Sequence, residues 1–228
     1  MAGGLGTRLR SAVPDLPKPM APVAGRPFLA WILDRLVDAG FAQVVLAVGY
    51  RHESIGEFFG QRYRGMPLRY SVEDRPLGTG GAIRLAADQV DESPVFVLNG
   101  DTCLDLDHHA MWRAHAQAGA TMSMAVCQVP DAARYGALEV QGGRVCGFVA
   151  KGREGPGLIN AGTYLLSAAL LQAIPTGRPF SFEQDLLMPR VDEIRPLAFV
   201  AEGLFIDIGV PEDYARAQAL FAHRVMPR

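Results

Sequence analysis

Apolar residues recur at helical spacing over residues 28–39. Phe28, Ile32, Leu33, Leu36 and Val37 share one face, and Gly40 supplies the stop. The run Val44-Val45-Leu46-Ala47-Val48 is too short for a helix and reads as a buried strand, as does Val95-Phe96-Val97-Leu98. Between them the pattern predicts a short helix over 53–59, a strand over 68–72 and a helix over 79–90. A helix over 107–118 and a strand over 122–129 follow. Continuous apolar strands alternating with helices predict an α/β fold, with a mostly parallel sheet covered by helices on both faces.

The second half has a different texture. Gln141-Gly142-Gly143 is a turn between two short apolar runs over 137–149, a hairpin signal. A strand is predicted over 158–166 and a helix over 181–191, with Ser181 as cap and Glu183 in the first turn. Pro211 stands at the first position of a closing helix that runs through Ala222. Residues 152–157, rich in Gly and Pro, read as a mobile surface loop. With no repeat and no linker, the 228 residues are expected to form a single domain.

Composition narrows the classes. Apolar residues make up 49% of the chain and charged residues 20%, which excludes a disordered or fibrous protein. The net charge of −2 lacks the basic excess of a nucleic-acid binder. No apolar run reaches the roughly 18 residues of a membrane helix, and the first residues lack the pattern of a signal peptide. A cytoplasmic protein without nucleic-acid or membrane partners is expected. Cys103, Cys127 and Cys146 have neither disulfide-framework nor zinc spacing and read as small core residues. His108, His109 and His115 read as polar positions of a solvent-facing helix, His52 and His223 as structural, and Trp31 and Trp112 as packing residues.

The segment Gly3-Gly4-Leu5-Gly6-Thr7-Arg8-Leu9, with Pro17-Lys18-Pro19 downstream, carries the first chemistry. Closely spaced glycines let backbone N–H groups approach phosphates, Arg8 adds a guanidinium fork and Lys18 a point charge. Leu9 stands where a dinucleotide fingerprint would have its third glycine, and no Walker lysine follows. A loop of this kind is normally aimed by a buried strand before it. Gly3 and Gly4 leave no room for one, so the chain is read as N-terminally truncated, with its first strand missing and Met1 an internal residue.

Two acidic segments complete the pattern. Asp101 follows the apolar run 95–98, at the strand end where open α/β sheets bind ligands, and a carboxylate there suits Mg²⁺ carried with phosphates. Asp207 interrupts Phe205-Ile206 and Ile208. A carboxylate among apolar neighbours needs a partner, and a metal shared with Asp101 would be one. Asp105 and Asp107 read as turn and cap residues. Glu73, just ahead of the Gly78 turn, is a candidate acceptor for guanine N–H groups, which favours GTP.

Together with Leu77-Gly78-Thr79-Gly80-Gly81, Asn99-Gly100-Asp101, Asn160-Ala161-Gly162-Thr163-Tyr164 and Asp207-Ile208-Gly209-Val210-Pro211-Glu212-Asp213-Tyr214, these segments resemble the sugar-1-phosphate nucleotidyltransferases. The resemblance runs over essentially the whole chain. It implies a Rossmann-like nucleotide-diphospho-sugar transferase fold with a small β-rich sugar-binding insertion. It also implies Mg²⁺ as cofactor and a nucleoside triphosphate and a sugar 1-phosphate as partners. The implied reaction yields a nucleoside diphosphate sugar and pyrophosphate, as for precursors of lipopolysaccharide or another cell-surface polysaccharide. Gly3, Gly4, Gly6 and Thr7 would hold the triphosphate, and Arg8 and Lys18 would stabilise charge at the attacked phosphorus. Gly78, Thr79 and Gly80 would border base and ribose, Asp101 and Asp207 would ligate Mg²⁺, and Lys151, Asn160 and Gly162 would hold the sugar phosphate.

Within the family the chain is most similar to the short bacterial branch that includes D-glycero-D-manno-heptose 1-phosphate guanylyltransferases. A uridylyltransferase for N-acetylmuramate 1-phosphate and a mannose 1-phosphate guanylyltransferase are the alternatives inside the family. A non-catalytic sugar-nucleotide sensor on the same fold, a nicotinamide-dependent oxidoreductase and an interaction module are alternatives of other classes. Many relatives have Glu before the lysine corresponding to Lys151, where this chain has Ala150. A monomer or a homodimer is expected.

Overall fold

Pro27, extended at φ −53° and ψ 138°, brings the chain into the first helix, and Gly40, at φ +76°, receives it. Between them the apolar face predicted from the sequence is buried from Phe28 to Leu36. The computed structural model describes residues 1, 2, 9, 13, 16–49 and 51–222.

In chain order, β1 (Pro22–Val23), β2 (Arg26–Pro27), α1 (Phe28–Asp38), β3 (Val44–Val48), α2 (His52–Phe59), β4 (Arg62–Tyr63) and β5 (Met66–Val72) come first. Then follow α3 (Gly78–Ala87), β6 (Val95–Leu98), β7 (Thr102–Leu104), α4 (His108–Gln117), β8 (Met122–Val129), β9 (Leu138–Gln141), β10 (Arg144–Phe148) and β11 (Gly157–Leu166). The last elements are α5 (Ala168–Gln172), a π-helical turn (Phe182–Leu187), α6 (Val191–Ile194), β12 (Leu197–Val200), β13 (Phe205–Asp207) and α7 (Pro211–Ala222).

These elements form two compact units, each discontinuous in sequence. The first comprises Met1–Arg75, Asn99–Leu104 and Leu204–Arg228, and the second Pro76–Leu98 and Asp105–Gly203. In the first unit β3 and β5 pair in parallel, β4 joins β5 antiparallel, and β7 pairs antiparallel with β13. Met1 and Ala2 run beside β3: Ala2 N–H donates to Ala47 O at 2.7 Å, and Gly100 N–H donates to Met1 O at 2.7 Å. Phe221 of α7 stacks on Trp31 and meets Phe28 edge-on, with ring centroids 4.6 and 6.2 Å apart. Burying three such rings outweighs the weak helix-forming tendency of aromatics in α1.

The second unit is one six-stranded sheet in the order β6-β11-β8-β12-β10-β9. β11 is antiparallel to both β6 and β8, and β12 is parallel to β8. The α/β class is as expected, but the sheets are mixed rather than mostly parallel. The long apolar run of β8 reports burial on both faces, and burial is blind to strand direction. The hairpin β9–β10 turns at Gln141-Gly142-Gly143 as expected.

Two further expectations change, and β12 is an addition to them. The helix expected over 181–191 is a π-helical turn followed by the separate short α6. The strand β12 was not legible, because four residues with graded burial show no alternation. His108 and His115 face inward, not outward: both are buried, and His115 Nδ1 lies 2.8 Å from Ser123 Oγ. The Ser123 hydroxyl satisfies His115 there, and the His108 ring meets Phe96 edge-on with centroids 5.3 Å apart. Asp107 caps α4 as expected, its carboxylate accepting from Ala110 N–H at 2.8 Å. Among the described residues no helix is long and apolar enough to cross a membrane.

Candidate active site

In the first unit, the antiparallel pairing of β7 with β13 sets Asp207 opposite Thr102. The ladder continues one step further: Ile208 N–H donates to Asp101 O at 3.0 Å. Two aspartates 106 positions apart are thereby fixed at one end of one ribbon. Lys18 arrives from the tight turn Lys18–Met20, which Pro17 enters extended at φ −63° and ψ 145°. Its ammonium donates to Asp101 Oδ2 at 2.6 Å and lies 3.7 Å from Asp207 Oδ1.

Burial and the neighbouring Asp101 charge push the Asp207 carboxyl above its ordinary pKa, against the opposing pull of Lys18 and the Gly209 N–H. Two carboxylates drawn together at the cost of mutual repulsion form a place for a cation. In this structure the Lys18 ammonium fills that role.

Gly209 completes the cluster. Its N–H donates to Asp207 Oδ1 at 2.6 Å, which fixes the side-chain rotamer. A Cβ on it would stand 2.9 Å from Asp207 Oδ1 and 3.2 Å from Lys18 Nζ. Its backbone is not left-handed, so what glycine contributes there is space. No group of three or more His, Cys, Asp or Glu side chains assembles a metal cage among the described residues. Two carboxylates with open positions beside them nonetheless fit Mg²⁺, which is held by one or two carboxylates and takes its other ligands from substrate phosphates and water.

Glu73 follows β5, and its N–H donates to Val48 O at 3.0 Å, prolonging the parallel ladder. The expected phosphate-loop residues Gly3, Gly4, Gly6, Thr7 and Arg8 lie outside the described residues.

In the second unit, Gly78, Thr79 and Gly80 form the first turn of α3. Their polar groups are engaged by the chain around Phe180. Gly80 and Gly81 N–H groups donate to Phe180 O at 2.8 and 3.2 Å, and Phe182 N–H donates to Thr79 Oγ1 at 2.9 Å. A side chain at Gly78 would meet Phe180 O at 2.8 Å, so this turn is packed against its neighbour through bare backbone.

Asn160 and Gly162 sit on a bulge of β11, where the register against β8 shifts between Asn160 and Tyr164. Gly162 takes φ +69°, which other residues adopt at a cost, and its N–H donates to Asn160 Oδ1 at 3.0 Å. Asn160 Nδ2 donates to Tyr164 Oη and to Glu183 Oε1, both at 2.7 Å. Lys151 is exposed in the turn after β10, with its side chain passing near Gly136.

The structure thus gathers Lys18, Asp101 and Asp207 into one cluster, and Asn160 and Gly162 into another. Gly209 and Glu183 belong to these clusters and were not singled out as site residues from the sequence. Gly209 was legible as part of the Asp207-Ile208-Gly209 segment. Glu183 carried only a helix-terminus signal.

Comparison with known proteins agrees along the whole length. The Nucleotidyl transferase family model matches residues 1–224. The chain is 40% identical over 225 residues to D-glycero-alpha-D-manno-heptose 1-phosphate guanylyltransferase from Aneurinibacillus thermoaerophilus, covering 99% of this chain and 98% of that one. It is 40% identical over 215 residues to the enzyme of the same name from Campylobacter jejuni, covering 94% and 95%. The crystal structure of HddC from Yersinia pseudotuberculosis complexed with GMP-PN superposes with a TM-score of 0.86 at 37% identity, covering 96% of each chain. With the paired aspartates, their bridging lysine and this end-to-end similarity in hand, the chain belongs to the nucleotidyl transferase family.

Proposed function

We propose that the protein is a Mg²⁺-dependent guanylyltransferase that joins GTP to a D-glycero-D-manno-heptose 1-phosphate. The observation that carries the reading is the cluster in which Lys18 bridges Asp101 and Asp207. The choice of substrates follows the 40% identity, over nearly full length, to the two heptose 1-phosphate guanylyltransferases. The need for cellular GTP places the work in the cytoplasm.

A phosphate oxygen of the sugar 1-phosphate attacks the α-phosphorus of GTP. The bond from that phosphorus to the bridging oxygen breaks, and pyrophosphate leaves on the opposite side. The nucleophile is already ionised at neutral pH, so no general base is required. The obstacle is electrostatic, because two highly charged anions must approach. Asp101 and Asp207 would hold Mg²⁺, which when bound supplies positive charge and polarises phosphate oxygens. Lys18, released from Asp101, donates to a phosphate oxygen and stabilises charge that builds in the transition state, as Arg8 would. Gly209 N–H holds the Asp207 carboxylate in the position from which it would ligate the ion. Lys151 would meet the sugar phosphate as a point charge, Gly78, Thr79 and Gly80 would border the nucleoside, and Glu73 would read the base.

The test is pyrophosphate release over a grid of GTP, UTP, TTP, ATP and CTP against heptose, mannose, glucose and N-acetylmuramate 1-phosphates. Release with GTP and the heptose phosphate above all other pairs is expected. A preference for another pair replaces the substrate assignment, and silence across the grid removes the catalytic one.

A further inference from the structure

A sugar presents hydroxyl groups, and a site that selects one sugar needs acceptors for their protons. Lys151 has only donors, and Ala150 beside it has no polar side chain. Asn160 is already engaged. Both of its amide protons go to protein acceptors, Tyr164 Oη and Glu183 Oε1, and its carbonyl accepts from Gly162 N–H. An amide with both donors taken serves as a mount, and what it mounts is the Glu183 carboxylate.

The mount is rigid from behind. Tyr164 and Phe182 are buried and meet edge-on with centroids 5.1 Å apart, and Phe182 N–H is tied to Thr79 Oγ1. Glu183 itself is exposed on the π-helical turn, a geometry that recurs at functional sites because it turns a side chain out of the regular helical track. One carboxylate oxygen is held by Asn160. Among the described residues, the other takes no hydrogen bond.

We propose that Glu183 reads the sugar: its free carboxylate oxygen accepts a hydrogen bond from a hydroxyl of the sugar 1-phosphate, and Asn160 is the positioning residue that aims it. This rests on the guanylyltransferase reading above. A charge-assisted bond of this kind discriminates strongly, because a ligand lacking the hydroxyl leaves the carboxylate unpaired.

Glu183→Gln is the informative substitution. It keeps the oxygen that Asn160 holds and replaces the free acceptor by a donor. Titration calorimetry with heptose 1-phosphate, alongside steady-state kinetics, should show sugar Kd and KM rising about 10- to 100-fold. KM for GTP and the melting temperature should stay put. Asn160→Asp, which sets a second carboxylate against Glu183, should also raise the sugar KM without moving that of GTP. Among deoxymannose 1-phosphates, wild type should reject the one lacking the contacted hydroxyl, and Glu183→Gln should not. Sugar affinity unchanged in Glu183→Gln, with wild-type turnover normal, overturns the assignment and leaves the reaction standing. Wild type that binds the sugar phosphate through Glu183 yet releases no pyrophosphate with any nucleotide overturns the reaction and leaves the assignment.

Discussion

Lys18 Nζ donates to Asp101 Oδ2 at 2.6 Å, an ion pair between residues 83 positions apart. The Asp101 side chain is 34% exposed, so the pair contributes about 1 kcal/mol or less to stability. On the proposed function its importance lies in catalysis. Asp101→Asn should abolish divalent-metal-dependent pyrophosphate release while the melting temperature moves by no more than a few degrees. Lys18→Ala should lower kcat about 10²- to 10³-fold, the usual cost of removing one stabilising donor. Near-normal turnover in either variant would remove that residue from the chemistry.

Gly209 tests whether room at the cluster matters. A methyl group there would press on Asp207 Oδ1 and on Lys18 Nζ. Gly209→Ala keeps an accessible backbone conformation, so it should fold normally and bind Mn²⁺ at least several-fold more weakly in a paramagnetic-resonance titration. Unchanged Mn²⁺ affinity would mean that the cluster yields to the methyl group.

Glu73 is the proposed reader of the base. Glu73→Gln should lower kcat/KM with GTP by about tenfold, the loss of one charged hydrogen bond, and change the weak activity with UTP less. Equal losses with both nucleotides would take Glu73 out of base recognition.

His108 makes a prediction about pH. Burial lowers its pKa from 6.5 to about 4. Between those values the unfolded chain binds a proton that the folded chain refuses, so stability is full above pH 6.5 and falls as pH drops toward 4. The loss is about 3 kcal/mol at most. Urea unfolding across that range should show a shallower pH slope for His108→Phe than for wild type. Identical slopes would mean that His108 accepts its proton in the folded state.

The sequence by itself determined the order of the longer elements and most of their boundaries. The apolar face of α1, the runs of β3, β6 and β8, the Asp107 cap and the Pro211 helix start are local signals, because side-chain periodicity and caps act within a few residues. It also marked Lys18, Asp101 and Asp207, since a carboxylate at a strand end and a lysine between prolines stand out from their surroundings. The segment that became a π-helical turn defeated the reading, because the tie from Phe182 N–H to Thr79 comes from far along the chain. Strand direction, the inward turn of His108 and His115, and the parallel seating of β12 on β8 were decided only by the tertiary structure. Each depends on a partner that the local pattern does not encode. The same holds for function: that Lys18 bridges two aspartates, that Gly209 leaves them room and that Asn160 holds Glu183 are matters of distance in space, fixed by the β7–β13 ribbon and the bulge of β11.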